Sequence, residues 1–185
     1  MDAFAGPYAV AAALLVVAGF LEARRPAATV DALARLGLSV PQPIVQGFAV
    51  VGAVVGVVAL VAGGGPVGRA VAALVTLAYV GFTLFVAVTL AHDDPFASCG
   101  CFGREDTPPG VTHIVLDVAA ASAAVAVMAA PGDGFRAVVA QQPVAGIPFV
   151  ALTALCAFFA YELLTRPPGT RRSGAGGDSS RDSGG

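Results

Sequence analysis

Long apolar runs broken by short polar stretches dominate the chain. Each run is close to the roughly 20 residues that a helix rising about 1.5 Å per residue needs to cross the hydrocarbon layer with its backbone bonded internally. Five runs qualify. The first, over about 4–21, stops at Glu22, Arg24, Arg25 and Pro26. Its positive charges follow the apolar run instead of preceding it, which favours a retained helix over a cleaved signal peptide. The second, 44–62, ends at Gly63, Gly64, Gly65 and Pro66, and the third, 70–91, ends at His92, Asp93, Asp94 and Pro95. So short a connection between them is a hairpin turn. A fourth run covers 111–130 and a fifth 147–164. From Thr165 onward the chain is Pro, Gly, Ser, Arg and Asp, with no apolar surface to bury, so 166–185 is expected to be a disordered tail. The fold class expected is an all-α polytopic transmembrane bundle of about five spans within residues 1–165.

Two shorter patterns refine this layout. In "TVDALARLGLSVPQP", Val30, Leu33, Leu36 and Leu38 recur at near-helical spacing, with Asp31 and Arg35 on another face. That suits a short amphipathic helix lying in the membrane interface, and equally an ordinary polar connector. Gly52 and Gly56 form a G-x-x-x-G in the second run, a spacing that lets two helix backbones approach closely.

Composition strengthens the membrane reading and removes other classes. The 185 residues are 57% hydrophobic and 12% charged, with a mean hydropathy of +0.82; a soluble domain carries about 25% charge. The lipid bilayer is therefore the first partner. Net charge is −2, and the ten basic residues, all arginine, lie singly or in pairs. No continuous positive stripe exists for nucleic acid.

The candidate chemistry lies before the fourth run, in "ASCGCFGRED". Cys99 and Cys101 can bridge only if the chain turns sharply between them, and Gly100 permits that turn. A ring so small is strained, and strained or exposed bridges suit labile or catalytic use. Closing a loop of one residue removes little unfolded-chain entropy, so stapling is a poor explanation. The loop also leads into a helix whose first turn offers unpaired N–H groups and a partial positive charge, which favour a thiolate. Both histidines, His92 and His113, bracket this loop, and an imidazolium beside a cysteine lowers its pKa. His113 and Asp117, four apart, share a helix face. An ionisable residue inside a membrane helix is costly, which makes Asp117 a functional candidate able to orient His113 or handle a proton. The catalytic candidates are thus Cys99, Cys101, His113 and Asp117.

Plainer readings stand beside these. His92 and His113 also suit interfacial residues with their polar ends in water. Asp93, Asp94, Arg104, Glu105 and Asp106 read as solvated loop surface, and Phe102 as a buried anchor for the loop. Cys156, in an apolar run beside Phe158 and Phe159, reads as a small buried hydrophobe. Metal binding is the sharper rival, with Cys99, Cys101 and His113 as ligands for Zn²⁺ or Cu⁺. Zinc sites usually recruit a second close cysteine pair, which the chain lacks.

Cys99-Gly100-Cys101-Phe102-Gly103, followed by Pro109, His113 and an acidic residue four positions later, resembles the loop and helix start of the methylamine-utilisation MauE family, related to DoxX-like redox-associated membrane proteins. The resemblance spans about residues 4–164 in helix layout and is specific in sequence only at the loop and the fourth run. It implies a multi-pass protein of the bacterial plasma membrane that supports disulfide formation or maturation of exported proteins. Cys99 and Cys101 would be its redox pair, and a thioredoxin-like protein or an exported thiol substrate its partner. A quinone would serve as oxidant, although no sequence feature marks a quinone site. Topology leaves the side of the thiols open: the positive-inside rule places their loop in the cytoplasm, whereas disulfide donation to exported proteins requires the outer face. A redox protein, a metal-handling or transport protein, and a non-catalytic assembly factor remain the three readings.

Overall fold

The computed structural model describes residues 4–91, 111–129, 151, 153–158 and 162. These fold into α1 (Ala5–Arg24), α2 (Ala27–Arg35), α3 (Gln42–Val61), α4 (Gly65–Ala91) and α5 (Val111–Ala129), with no strand among the described residues. Four of the five helices, all but α2, are long and apolar enough to cross a membrane. The first four predicted runs match them closely. The one sizeable difference is α4, which starts five residues earlier than its apolar run because Pro66 sits comfortably in a helix's first turn, where its missing N–H costs nothing. Residues 151, 153–158 and 162 are helical; the rest of the predicted fifth run and the whole predicted tail lie outside the described residues.

Helix α1 is the centre of the bundle. Of its span 50% is buried inside the protein, against 17% for α3 and 28% for α4 and for α5. Its most extensive packing is with α3, while α4 packs chiefly with α5. The shared core holds Tyr8, Ala11, Ala12 and Leu15 of α1, Ala59 of α3, Val71, Ala72, Val75 and Tyr79 of α4, and Ala124 of α5. Large residues lie on the outside: Phe48 is 76% exposed and Leu77 68%, whereas Ala12, Ala72 and Ala124 are fully buried. A water-soluble protein arranges these sizes the other way round. Here lipid covers the large side chains and small ones let the helices meet.

Two glycines show how close that meeting is. A Cβ placed on Gly19 would lie 2.5 Å from the Ala49 carbonyl oxygen and 2.8 Å from the Ala53 nitrogen. One placed on Gly56 would lie 2.7 Å from the Ala12 carbonyl oxygen. Because Gly19 meets Ala49 and Ala53 while Gly56 meets Ala12 and Val16, α1 and α3 run antiparallel with their backbones in contact. Only one member of the predicted G-x-x-x-G does this work, since at Gly52 an added Cβ would meet nothing nearer than Leu15 at 3.8 Å. The second close approach comes from α1.

Several hydroxyls of the bundle are satisfied by backbone carbonyls. The Tyr79 hydroxyl donates to the Ala11 carbonyl oxygen at 2.6 Å, tying α4 to α1. Thr76, Thr83, Thr89 and Ser122 each donate to the carbonyl four residues earlier, at 2.7–2.9 Å, so these four hydroxyls do not face hydrocarbon unpaired. Thr76 also reaches the Met128 sulfur at 3.9 Å, which pairs the middle of α4 with the end of α5.

The segment after α1 resolves in favour of a helix. Asp31 and Arg35 are exposed, Ala32 is buried, and Val30, Leu33 and Leu36 are half-buried. Leu38 N–H donates to the Leu33 carbonyl at 2.9 Å and Gly37 N–H to the Ala34 carbonyl at 3.0 Å, with Gly37 at φ +80°. This is the Schellman closure, and Gly37 supplies the left-handed residue it needs. The C-terminal ends of α1 and α4, the N-terminal ends of α3 and α5, and α2 itself all lie at one end of the bundle, termed here the α2 end.

Two stability predictions follow from this packing. Gly19→Ala and Gly56→Ala should each lower stability in detergent by about 1–3 kcal/mol through overpacking, while Gly52→Ala should change it by less than about 0.5 kcal/mol. Equilibrium unfolding monitored by circular dichroism distinguishes them. Tyr79→Phe should cost about 0.5–1.5 kcal/mol in the same assay, the usual net worth of one buried hydrogen bond.

Candidate functional site

The titratable side chains in the interior gather at the α2 end. His113 is in the first turn of α5, where N–H groups lack helical partners. It is 8% exposed, so it is no solvated interfacial residue. Its stripe on α5 continues through Asp117 to Ala124 in the core, the 3.6-residue repeat bringing positions 113, 117, 120 and 124 to one face. Asp117 is half-buried and within electrostatic range of Tyr79. The predicted sharing of a face by His113 and Asp117 therefore holds, and that face looks into the bundle.

Cys99, Cys101 and His92 lie outside the described residues. The residues flanking their segment, Ala91 at the end of α4 and Val111 at the start of α5, both lie at the α2 end, as His113 does. Among the described residues no three His, Cys, Asp or Glu side chains converge as metal ligands would.

Cys156 differs from expectation. It is a free, exposed thiol and not a buried one. An apolar run says only that a residue avoids water; in a membrane protein lipid meets that demand as well as a protein core does.

Glu22 is the residue that sequence reading passed over as the charged end of a span. It continues the buried stripe of α1 through Tyr8, Ala11, Leu15 and Ala18, all core-facing. Neither carboxylate oxygen touches solvent or makes a hydrogen bond. The Thr29 hydroxyl of α2 is the polar group nearest in influence, without forming a bond of ordinary geometry. The signal was available: Glu22 falls seven residues after Leu15 and four after Ala18, on the face already packed inward. Its neighbours on the helix point elsewhere. Arg24 lays its guanidinium 4.2 Å above the Phe20 ring, and Arg25 is exposed. The Gln46 amide of α3 donates to the Ala23 carbonyl at 3.4 Å, satisfying one of the orphan acceptors at the end of α1.

A separate groove of about 490 Å³ lies between α4 and α5, lined by Val80, Leu84, Val118 and Val125 among others. Its hydroxyls, on Thr76, Thr83 and Ser122, are bonded to their own helices, and it contains no titratable group. It offers apolar contact and no acid–base chemistry.

Neither a curated protein nor a solved structure matches the chain. A family match does exist, to the family described as Methylamine utilisation protein MauE, and it covers residues 3–131, from the start of α1 past the end of α5 and across the cysteine segment. With four apolar spanning helices packed round α1 and the greater part of its length matched, the chain is a multi-pass membrane protein that belongs to the MauE family.

Proposed function

We propose that this protein is a membrane-embedded thiol–disulfide exchange protein of the methylamine-utilisation type, supporting disulfide formation or maturation of exported proteins through Cys99 and Cys101. The observation that carries the reading is the family match across residues 3–131, which includes the Cys99-Gly100-Cys101 segment. Two further features support it. Its described flanks, Ala91 and Val111, lie at the same end of the bundle as His113, and His113 occupies the first turn of α5, where partial positive charge favours a nearby thiolate.

Exchange begins when a dithiol of the partner attacks the Cys99–Cys101 disulfide as a thiolate. The first attack breaks the S–S bond and forms a mixed disulfide. The partner's second thiolate then attacks its own sulfur in that mixed bond, leaving the partner oxidised and Cys99 and Cys101 reduced by two electrons. The two thiolates left on this chain take up the two protons given up by the partner. In this reading His113 and Asp117 handle them. A thioredoxin-like protein or an exported thiol substrate is the partner class, and a quinone or a second disulfide the class of oxidant that resets the pair.

Replacing one cysteine tests this directly. Cys99→Ser or Cys101→Ser should trap a mixed disulfide with a second protein, seen as a reducible higher-mass band, and the double variant should trap none. Loss of stoichiometric metal in these variants, with no trapped species, would instead establish the ligand reading of the same cysteines. A membrane-impermeant maleimide should label the reduced pair in intact cells; labelling only after permeabilisation overturns the role in exported proteins. His113→Ala should slow alkylation of the reactive thiol near neutral pH by about 3- to 10-fold, the consequence of a lower thiolate fraction.

A further inference from the structure

The interior of the bundle is chemically lopsided. Its apolar core, running from Tyr8 and Val71 through Leu15 and Tyr79, contains no acid, base or thiol apart from two tyrosine hydroxyls. At the α2 end, three strongly titratable groups occupy core-facing positions on two helices: Glu22 on α1, and His113 and Asp117 on α5. Ionisable groups inside a membrane bundle are costly and are kept where a proton or ion has work to do.

Register brings these groups to one depth. Tyr79 of α4 bonds Ala11 of α1, and Thr76, a turn before it, reaches Met128 of α5; in the antiparallel α4–α5 pair this puts Ala124, a turn before Met128, near the level of Ala11 and Ala12, and α1 and α5 run antiparallel. From that level Glu22 lies ten or eleven residues onward along α1 and His113 eleven residues back along α5, so both stand about 16 Å nearer the α2 end. Asp117 lies one turn deeper. Among the described residues no three such groups share a common ligation point, so the arrangement is not a metal cage.

Thr29 of α2 is the side chain that acts on the Glu22 carboxylate, and among the described residues no ion pair compensates its burial. Its oxygens are sealed from solvent and accept no hydrogen bond. Arg24 is committed to the Phe20 ring and Arg25 is exposed. From α2 the facing group is Thr29, with Asp31 and Arg35 on the exposed side. Helix α3 brings no titratable residue, only Gln46, and the titratable residues of α4 are Arg69, near its start at the far end, and Tyr79. The helix C-terminus adds partial negative charge. Burying a carboxylate with so little compensation is costly.

We propose that Glu22 is a proton-holding group that, together with His113 and Asp117, forms a proton-exchange cluster in the bundle interior at the α2 end. A proton leaves the Glu22 carboxyl for a ring nitrogen of His113 by way of intervening water, leaving a carboxylate and an imidazolium, and returns by the reverse step. Asp117 stabilises the imidazolium from the next turn of the same face. No electrons change hands. Service to the thiols, as the local source and sink of the protons released in exchange, rests on the function proposed above; the cluster itself does not.

The test uses the full chain in lipid nanodiscs with carbon-13 in its glutamates, read by the infrared band of the protonated carboxyl group. The chain has three glutamates, Glu22, Glu105 and Glu162. At pH 7 an isotope-shifted band should be present in the parent protein and in Glu105→Gln and Glu162→Gln, and be missing in Glu22→Gln. Raising the pH should abolish it, and His113→Gln or Asp117→Asn should move the midpoint of that loss by about half a pH unit or more, as expected for coupled charges. Should Glu22→Gln fail to fold, the parent and the His113 and Asp117 variants still decide the matter. Absence of the glutamate band at pH 7, or a midpoint indifferent to both α5 substitutions, overturns the proposal. A band that persists in the Cys99→Ser/Cys101→Ser double variant tests Glu22 apart from the thiols, so failure of the exchange reading leaves this result standing.

Discussion

The bundle depends on how closely α1 can approach its neighbours. In lipid, apolar side chains gain little by leaving one hydrocarbon environment for another, so helix association rests on dispersion contacts and a few hydrogen bonds. Dispersion falls away within a fraction of an ångström, and large side chains between helices would hold the backbones apart. Gly19 against Ala49 and Ala53, and Gly56 against Ala12, bring the α1 and α3 backbones into direct contact. The Tyr79–Ala11 hydrogen bond then fixes α4 on the opposite flank. The depth of each residue along α1, Glu22 included, follows from that fixed crossing.

The same crossing explains why the α2 end is the chemically distinctive one. Helix α1 enters the core at Ala5 and Tyr8, and its buried stripe has no reason to stop when the sequence turns polar. The stripe carries Glu22 inward while Arg24 and Arg25 rotate outward. On α5 the stripe is read in the opposite direction, from His113 through Asp117 to Ala124. Two antiparallel helices with polar residues at opposite termini thereby place those residues at one level. Ala91 and Val111, which flank the segment bearing Cys99 and Cys101 in sequence, both lie at this end.

Much of this architecture was legible in the sequence, because the length of an apolar run and the charges that end it are direct consequences of bilayer thickness. The bounds of α1, α3 and α5 fell within a few residues of expectation, and α2 resolved an ambiguity that nine helical residues were too few to settle. The sharing of a face by His113 and Asp117 was a matter of spacing alone. Which way a face points was not legible, because a run hydrophobic all round gives no amphipathic signal to distinguish protein from lipid. That is why Cys156 was expected inside and lies outside, and why Glu22 was read as a boundary marker. The half-used G-x-x-x-G has the same origin: spacing showed that a close approach was available on α3, and only the crossing shows that α1 contributes Gly19 to it.

The inversion of side-chain size, with alanine and glycine inside and valine, leucine and phenylalanine outside, has a consequence for how this protein tolerates change. Exchanges among bulky apolar residues on the periphery cost little, since fluid acyl chains reshape themselves around any contour. A single extra methyl at Ala12 or Ala72 has nowhere to go. At the helix crossings, substitutions that conventional residue similarity treats as mildest, Ala to Val or Gly to Ala, are therefore the most damaging, and outward-facing aromatics such as Phe48 are the most expendable.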